Sequence, residues 1–467
     1  MILAKTYKIL QPDFVEKRYN QYLLIWKELP HWMVMDEEAF NLIRLNDGSR
    51  TLSESINELY SPELQNKKFK EIKSFFSILK KKGLVKIYNK ANQKISTYVP
   101  NPILENITIN LTNQCNLRCS HCYLNSYHKS ESLLIPKFKK FVLEADANNF
   151  LSKEANIAIL GGEPLLAKEK VIEIAKIGKE LDLEVIVSTN GLLIDQTFAK
   201  QAKENDLVVQ VSLDGSCEEI NSILRGKGNF EKSIRGIKQL IKEGVCTIIS
   251  MVVHEDNFHD IEDFFYLGLT LGVNEVRYIP LKLIGNAKYN LKPIQKESLL
   301  LALDSLVRKE KRAKDYLKRD YYSIMKTTCS YSNKVFYCGT GLKTILIDSD
   351  GDVYPCPNHN LPEFKAGSIY EQSFKEIWKN NPIFNKIRSI YDVSKLNEKC
   401  SNCPVKYWCS GGCRGEAYEN TRNLRSPAVG CEDIRKSIIE TFWILSKEHQ
   451  GYQSENREQE GVYVLEN

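Results

Sequence analysis

Apolar side chains in residues 1–95 recur at the three- and four-residue intervals that are typical of amphipathic helices. The pattern predicts three helices: one from Asp36 to Gly48, one in TLSESINELY from Thr51, and one in FKEIKSFFSILKKKG, which ends at Gly83. The segment LVKIY that follows is predicted to be a strand, and further strands are expected before the helices. This order of elements predicts a small winged-helix-like domain.

From residue 103 to residue 290 the pattern changes to short apolar segments that alternate with amphipathic ones. Such alternation predicts parallel strands joined by crossover helices, which is an α/β fold. Six strands are too few to close an eight-stranded barrel, so we expect a partial (β/α)6 barrel with its chemistry at the carboxyl ends of the strands. The predicted strands are 107–112, 156–160, 184–189, 207–213, 247–253 and 275–281.

The rest of the chain divides into three parts. Residues 291–330 are rich in Lys and Leu and predict a mostly helical connector. Residues 331–445 are rich in cysteine and aromatic side chains and predict a domain of short elements. Residues 446–467 are polar, and we expect a flexible tail there.

The composition is that of an ordinary globular protein, with 42% hydrophobic and 27% charged residues. The formal charge of 65 − 59 = +6 is small for 467 residues and demands no polyanionic partner. No apolar run reaches the ~18 residues that span a bilayer, and MILAKTYKIL lacks the apolar core of a signal peptide. We therefore expect a cytoplasmic protein without a membrane partner.

The 13 cysteines are clustered, with three at positions 115–122 and eight between 329 and 431. A reducing cytoplasm disfavours structural disulfides, so cysteines clustered in this way are expected to bind metal. Cys217 and Cys246 fit neither cluster and are expected to be structural.

The first cluster lies in CNLRCSHCY, where one loop supplies the thiolates of Cys115, Cys119 and Cys122. Structural zinc sites use four ligands, so a zinc site would need His121 or His128 as well. Three thiolates suit three corners of a [4Fe–4S] cluster, which leaves the fourth iron open to a small molecule. The loop follows the first predicted barrel strand and therefore lies at the catalytic end of the barrel.

Short glycine-containing segments follow the second, third and fourth predicted strands. The glycines of GGEP let the backbone approach a ligand closely, and Glu163 can pair with an ammonium group. Asn190 is the polar side chain of the next segment, and Arg225 lies downstream in LRGKGNF. One such segment carries little information, whereas several in order at successive strands favour a ligand site. The segments are GGEP (161–164), STNG (188–191) and SLDG (212–215).

The three-cysteine loop, the barrel pattern and these strand-end segments resemble the radical S-adenosylmethionine (SAM) superfamily. The resemblance implies that the three thiolates bind a [4Fe–4S] cluster whose open iron chelates SAM, and that one-electron reduction yields a 5′-deoxyadenosyl radical. It places His121 near the adenine and assigns no catalytic side chain. The SAM contacts that it implies are Gly161, Gly162, Glu163 and Pro164 around the amino group, Asn190 as a polar contact, and Ser212 with Arg225 at the carboxylate.

The eight later cysteines are enough for two [4Fe–4S] clusters or two zinc sites, and their spacing alone does not separate the metals. The spacing resembles the SPASM extension of radical SAM enzymes, which carries two auxiliary [4Fe–4S] clusters. Cys329 is then the predicted fourth ligand of the first auxiliary cluster; otherwise this cluster keeps an open iron where substrate binds. The implied ligands are Cys338, Cys356 and Cys413 for the first cluster and Cys400, Cys403, Cys409 and Cys431 for the second.

The residue after the second SPASM cysteine differs from that of one branch of the superfamily. Sulfatase-maturating enzymes place an aspartate directly after the second SPASM cysteine as their general base. Here Pro357 follows Cys356 in YPCPNHN, with Asp352 and His359 nearby but not at that position. The sequence therefore disfavours a sulfatase maturase.

The N-terminal segments DEEAFNLIRLNDGSRTLSESINEL and FFSILKKKGLVKI resemble the recognition element of enzymes for RiPPs, which are ribosomally made and post-translationally modified peptides. Such domains take a leader peptide as an added strand at a sheet edge. The lysines between 67 and 86 keep nucleic acid open as an alternative partner, although lysines on a short amphipathic helix are usually solubilising. The same lysines could steer an acidic leader.

The three parts together resemble sactipeptide and ranthipeptide synthases, which join a cysteine sulfur of a precursor peptide to a carbon atom. The implied partners are a precursor peptide and an external electron donor such as flavodoxin or ferredoxin. The same architecture serves carbon–carbon cross-linking, sulfatase-type maturation and quinone-cofactor assembly. A non-catalytic metalloprotein that binds nucleic acid is the alternative from another class.

Overall fold

The computed structural model describes most of the chain. Cys329 and His128 lie outside the described residues, so the predicted fourth ligand and one zinc alternative have no structural account. The last helix continues through Ser454, beyond the start of the tail predicted at residue 446. The residues described are 6–87, 101–124, 132–317, 338–390 and 392–454.

Residues 6–87 form two three-stranded antiparallel sheets and three helices, and all three predicted helices are present. Local chemistry fixes the first two helix starts. The Asp36 carboxylate accepts a hydrogen bond from the Ala39 N–H, and Thr51 and Glu54 form a capping box. The elements are β1 (Thr6–Ile9), β2 (Phe14–Arg18), β3 (Gln21–Trp26), β4 (His31–Asp36), α1 (Glu37–Leu45), β5 (Asp47–Thr51), α2 (Leu52–Leu59), α3 (Pro62–Lys81) and β6 (Val85–Ile87).

The predicted partial α/β barrel is confirmed. Its six strands are parallel, and each pairs with the next along the chain. The elements are β7 (Leu104–Asn110), α4 (Ile135–Ala147), β8 (Leu151–Leu160), α5 (Lys168–Glu180), β9 (Glu184–Thr189), α6 (Gln196–Glu204), β10 (Val208–Ser212), α7 (Glu218–Arg225), α8 (Phe230–Lys242), β11 (Thr247–Val253), α9 (Ile261–Leu271) and β12 (Glu275–Pro280).

The remaining elements are short, apart from two helices that pack on each other. The main chain at Lys296 donates to the Asp433 carboxylate at 2.8 Å, which ties the start of one helix to the other. The elements are α10 (Ala287–Asn290), α11 (Lys296–Lys309), α12 (Ala313–Tyr316), β13 (Thr344–Ile347), β14 (Asp352–Tyr354), β15 (Gly367–Ser368), α13 (Pro382–Ser389), α14 (Glu398–Asn402), α15 (Lys406–Cys409), α16 (Arg414–Thr421) and α17 (Cys431–Ser454).

The barrel sheet does not end at its first strand. Strand β13 of the cysteine-rich region pairs in parallel with β7, with Ile345 opposite Ile107, and β14 and β15 continue antiparallel from there. The sheet in the described residues therefore has nine strands in the order β12–β11–β10–β9–β8–β7–β13–β14–β15. The sequence pattern predicted six strands, because a four-residue apolar run gives no information about a pairing partner more than 200 positions away.

The three largest apolar cores of the described residues each join different parts of the chain. The largest lies between the barrel strands and their helices, and another lies between the N-terminal sheets and helices. The third joins the two ends of the chain: Leu23, Ile25 and Val34 of the β3–β4 face pack against Phe442 and Trp443 of α17. Among helices in the described ranges, none has both the length and the apolar character needed to cross a bilayer.

Candidate functional site

The three-cysteine loop lies where β7 ends and is held from two sides. On one side the Ser120 N–H donates to the Leu224 carbonyl at 2.9 Å, near the end of α7. On the other side the Asn286 N–H donates to the Cys122 carbonyl at 3.0 Å, from the segment after β12. Segments that follow the fourth and the sixth barrel strands thus both fix the loop at the carboxyl edge of the sheet, where the sequence predicted it.

The GGEP segment after β8 packs against the chain that leads into this loop. The Gly162 N–H donates to the Thr112 carbonyl at 2.8 Å, and the Glu163 N–H donates to the Gln114 carbonyl at 2.8 Å. A Cβ on Gly161, which has a φ of +132°, would lie 2.4 Å from Thr112 O, and one on Gly162 would lie 2.1 Å from Gln114 O. Both glycines are therefore required for close contact with the backbone of Thr112 and Gln114. The close approach to a ligand, which the sequence predicted for these glycines, stays a prediction.

Glu163 is 1% exposed and accepts three hydrogen bonds. The donors are the Leu165 N–H at 2.9 Å, the Thr189 hydroxyl at 2.6 Å and the Asn190 N–H at 2.8 Å. Burial raises the pKa of the Glu163 carboxyl, while these hydrogen bonds and the nearby charge of Arg225 act in the opposite direction. The carboxylate therefore joins the ends of β8 and β9.

Asn190 lies at the same edge and reaches the cysteine loop. Its Nδ2 donates to the Asn116 side-chain oxygen at 2.7 Å, and its Oδ1 accepts from the Leu192 N–H at 3.0 Å. Asn116 was not singled out from the sequence, although it stands directly after Cys115. Pro164, also predicted as a SAM contact, is buried and begins a short 3-10 turn.

Arg225 and Asp214 form a buried ion pair beside the loop. The Arg225 Nε lies 2.6 Å from the Asp214 Oδ2, and the two side chains are 10% and 0% exposed. The His121 Nε2 lies 3.7 Å from the same oxygen. Asp214 also accepts from the Val252 N–H at 2.8 Å, so it links the ends of β10 and β11. Ser212, predicted to act with Arg225, ends β10 and is half-buried.

Sequence reasoning missed the role of Asp214 itself. The signal was present, since Asp214 is the acidic residue of SLDG directly after a barrel strand, where polar side chains meet at one face. In the structure Asp214 carries the negative charge that Arg225 pairs with. The predicted SAM carboxylate contact of Arg225 thus competes with a protein carboxylate.

The thiols of the loop lie in a desolvated environment. Burial raises the pKa of Cys119 to about 11 and also raises that of Cys115, while Arg225 lowers both. The Cys119 thiol is further influenced by the other two thiols, so the three lie close together. Burial also lowers the pKa of His121 to about 4, and its Nδ1 has no hydrogen-bond partner among the described residues. Three soft donors beside a buried cation and an unsatisfied ring nitrogen fit an iron–sulfur cluster with a polar ligand.

The later cysteines separate into two groups in space. Cys356 is influenced electrostatically by Cys338 and Cys413, which gives one group. Cys409 is influenced electrostatically by three other thiols, and together with them it lines a cavity of ≈ 460 Å³. The SPASM resemblance implies the same two sets as cluster ligands, and that assignment stays a prediction. The second group is Cys400, Cys403, Cys409 and Cys431.

Polar side chains connect the barrel site to this cysteine-rich region. Asn110, at the end of β7, donates to the Asp348 carboxylate at 3.0 Å, and Asn113 donates to the Ser349 hydroxyl at 2.9 Å. The Tyr123 hydroxyl donates to the Asn110 oxygen at 3.3 Å.

Within the described residues no group of three or more His, Cys, Asp or Glu side chains is arranged to hold a single metal ion.

Fold and site together define an iron–sulfur protein built on a partial α/β barrel. The Radical SAM superfamily model matches residues 109–267, and the model of the SPASM iron–sulfur cluster-binding domain matches residues 338–404. The AdoMet-dependent heme synthase of Methanosarcina barkeri is 30% identical over 335 residues, which are 67% of this chain and 91% of that protein. The chain therefore belongs to the radical SAM superfamily and carries a SPASM domain.

Two further proteins cover more of the chain. The antilisterial bacteriocin subtilosin biosynthesis protein AlbA of Bacillus subtilis is 26% identical over 396 residues, covering 82% of this chain and 84% of that protein. The crystal structure of Streptococcus suis SuiB bound to precursor peptide SuiA has a TM-score of 0.61 at 17% identity, covering 91% of this chain and 100% of that one. SAM and [4Fe–4S] clusters are the cofactors that the two matched domains imply, as predicted from the sequence.

Proposed function

We propose that the protein is a radical SAM enzyme that modifies a ribosomally made precursor peptide by forming a thioether between a cysteine sulfur and a carbon atom. One observation carries this proposal: a separate domain with unpaired sheet edges docks on the cysteine-rich end of a radical SAM barrel. The similarity to AlbA, a bacteriocin biosynthesis protein, supports a peptide substrate. The fold shared with SuiB, which was crystallised with its precursor peptide, supports it further.

We propose that the β2–β3–β4 sheet binds the leader segment of the precursor. Strands β2 and β4 are its outer strands, with no further strand beside them in the described residues. One face of the sheet packs on the N-terminal helices and the other on α17, so a peptide would add at an edge rather than on a face. An extended peptide added there gains main-chain hydrogen bonds, which supply affinity with little sequence dependence.

Some residues at the barrel edge would bind the cluster and SAM, and others hold the cysteine loop in position. When bound, SAM and the cluster supply the one-electron chemistry that produces a 5′-deoxyadenosyl radical. Cys115, Cys119 and Cys122 would hold the cluster. The glycines of GGEP allow close contact with the chain that leads into the cysteine loop. Asn190 fixes the loop through Asn116. His121 offers its unpaired Nδ1 for a polar contact.

Charge at the site is arranged by two buried groups. Glu163 is a buried carboxylate at the strand ends and would pair with the SAM amino group. Arg225 keeps positive charge beside the thiols, which favours their thiolate forms. The contacts at the strand ends exclude water from this edge, since Glu163, Asp214 and Arg225 are buried. An external flavodoxin or ferredoxin would supply the electron.

The test uses the full chain, reconstituted anaerobically with iron, sulfide and SAM. The substrate is a cysteine-containing precursor peptide encoded by a short reading frame beside its gene. We expect reduction-dependent 5′-deoxyadenosine and a peptide mass decrease of ~2 Da per cross-link, since two hydrogens are lost. The product cysteine should resist alkylation by iodoacetamide.

The controls separate thioether formation from the alternatives. A variant with Cys115→Ala should leave the peptide unchanged. A mass loss of ~2 Da with a cysteine that still reacts with iodoacetamide would indicate carbon–carbon cross-linking instead. A peptide that stays unmodified while SAM is cleaved would contradict the peptide-modification proposal, and a small-molecule substrate would then be sought.

A further inference from the structure

The turn after Cys356 places two polar side chains against two sulfurs of the first auxiliary group. Pro357–His359 form a 3-10 turn, and the Asn358 Nδ2 donates to the Cys413 Sγ at 3.4 Å. The His359 Nδ1 lies 3.1 Å from the Cys356 Sγ. Consecutive side chains of one short turn therefore reach the sulfurs of cysteines that are 57 positions apart in the chain.

The surroundings of His359 hold its ring in place. The ring is 1% exposed, and its edge meets the ring of Phe364 at 4.8 Å between centroids with an interplanar angle of 84°. The His359 main-chain N–H donates to the Cys356 carbonyl at 3.0 Å, which fixes the turn. Burial and the contact with Phe364 restrict the movement of the ring.

The position of the ring proton follows from the neighbours of the two nitrogens. The Nδ1 faces the Cys356 Sγ and also the Thr340 hydroxyl oxygen at 3.3 Å. The Nε2 is buried and has no hydrogen-bond partner among the described residues. A buried N–H without an acceptor costs more than a hydrogen bond gains, so the proton belongs on Nδ1, where acceptors are present.

The short contact argues against His359 as an iron ligand. Donor atoms bound to different irons of one cube point away from each other, whereas the His359 nitrogen lies within hydrogen-bonding distance of the Cys356 sulfur. A donor role towards the sulfur is the one that this geometry supports.

Close packing keeps Asn358 in place as well. A Cβ on Gly415 would lie 2.0 Å from the Asn358 carbonyl oxygen, so the start of α16 lies directly against the turn. Cys413 is the residue that precedes this helix, and its sulfur also accepts from the Glu416 N–H at 3.4 Å. The sulfur of Cys413 thus accepts from two N–H groups.

We propose that Asn358 and His359 are positioning residues that donate hydrogen bonds to the sulfurs of Cys413 and Cys356 and so raise the reduction potential of the first auxiliary cluster. Reduction adds one negative charge to such a cluster and its thiolates. Donors to sulfur stabilise the reduced form more than the oxidised form. The inference rests on the cluster assignment of these cysteines and does not depend on the identity of the substrate.

The test measures potentials rather than turnover. Both auxiliary clusters are reconstituted in a full-length background in which Cys115, Cys119 and Cys122 are replaced by Ala, and their potentials are titrated anaerobically with dithionite and followed by EPR. His359→Leu removes the donor. We expect it to lower one of the two potentials by about 59 mV, a tenfold weaker reduction, and to leave the other unchanged.

A matched set of variants separates hydrogen bonding from packing. His359→Asn keeps an N–H near the position of Nδ1 and should restore most of the potential, whereas Asn358→Leu should lower the same potential as His359→Leu. His259→Leu removes an exposed histidine and should change neither potential. Iron content should stay at about eight per chain throughout, as two [4Fe–4S] clusters require.

Several results would overturn the proposal. One is a potential that does not move in His359→Leu, and another is an equal fall in His359→Asn, which would assign the effect to packing. If His359→Leu loses iron, then Asn358→Leu decides, and an unchanged potential there rejects the proposal. A background protein that binds no iron at all would reject the cluster assignment together with it.

Discussion

Single side chains at the barrel edge carry structural as well as chemical roles. Glu163 was predicted as a SAM contact, and in the structure it accepts one hydrogen bond from the turn after β8 and two from the end of β9. Arg225 was predicted to hold the SAM carboxylate, and its charge is paired with Asp214. Both residues keep their predicted roles as proposals, while the structure adds a contribution to stability that the sequence did not indicate.

Replacing Glu163 tests that contribution. Glu163→Ala leaves the Thr189 hydroxyl and two main-chain N–H groups without their acceptor in a buried site. We expect the free energy of unfolding to fall by about 3 kcal/mol, since each buried unsatisfied donor costs roughly 1–3 kcal/mol. Urea unfolding of the iron-free chain measures it. A change below about 1 kcal/mol would contradict the network.

A buried histidine outside the site predicts a pH dependence. His31 contacts the Lys82 carbonyl at 2.9 Å through its Nε2, and burial lowers its pKa to about 4. Between pH 6.5 and pH 4 the unfolded chain therefore binds more protons at this residue than the folded chain, so stability is fully present above pH 6.5 and falls as the pH drops towards 4.

The variant His31→Gln isolates this contribution from the other buried histidines. We expect its free energy of unfolding to depend less steeply on pH in this window, by on the order of 1 kcal/mol per pH unit at the steepest point. Urea unfolding at a series of pH values gives the two slopes. Equal slopes for the variant and the parent protein would contradict the predicted shift.

At the level of elements, the cysteine loop depends on the turn that follows β8. Gly162→Ala forces a Cβ to within 2.1 Å of the Gln114 oxygen, and backbone cannot move aside cheaply there. We expect loss of iron from the first cluster and a fall of more than about 2 kcal/mol in the free energy of unfolding. The two readouts are iron content and urea unfolding.

Gly272→Ala is the matched control for this prediction. Gly272 ends α9 with a φ of +77°, and a Cβ there would meet nothing within 4 Å. Only backbone strain is added, so we expect a loss of about 1 kcal/mol and unchanged iron content. Iron loss of the same size in both variants would show that general destabilisation, rather than contact with the loop, is responsible.

Elements with a local signal were predictable and pairings across the chain were not. The helix at Thr51 carries its own capping box, and strands such as 184–189 match the structure because their apolar run is bounded by turns. The pairing of β13 with β7 and the burial of Asp214 depend on contacts between distant segments. The resemblance to SPASM domains predicted the cysteine groups, whereas the hydrogen bonds around Glu163 became visible only in the structure.

At the scale of the whole molecule, the N-terminal domain packs against the last helix, α17. Phe442 of α17 is 0% exposed, stacks on Trp32 at 4.6 Å between centroids and meets Trp408 at 5.2 Å. The Lys406 ammonium, 3% exposed, lies 2.7 Å from the Glu28 carboxylate, which is 53% exposed. The N-terminal domain thereby rests beside the cysteines of the second auxiliary group.

The apolar part of this interface should dominate its energy. Phe442→Ala is expected to lower the free energy of unfolding by about 3–5 kcal/mol and to expose the N-terminal domain to limited proteolysis. Glu28→Gln is expected to cost less than about 1 kcal/mol, because the exposed partner is screened by solvent. Equal effects of the two substitutions on stability and proteolysis would contradict this order.

The central claim is that Cys115, Cys119 and Cys122 hold the cluster that cleaves SAM. The most direct measurement compares the parent protein with the triple Ala variant after anaerobic reconstitution, counting iron and 5′-deoxyadenosine. We predict that iron falls from about twelve to about eight per chain, as the loss of one [4Fe–4S] cluster requires, and that 5′-deoxyadenosine disappears. Undiminished SAM cleavage by the triple variant would contradict the account.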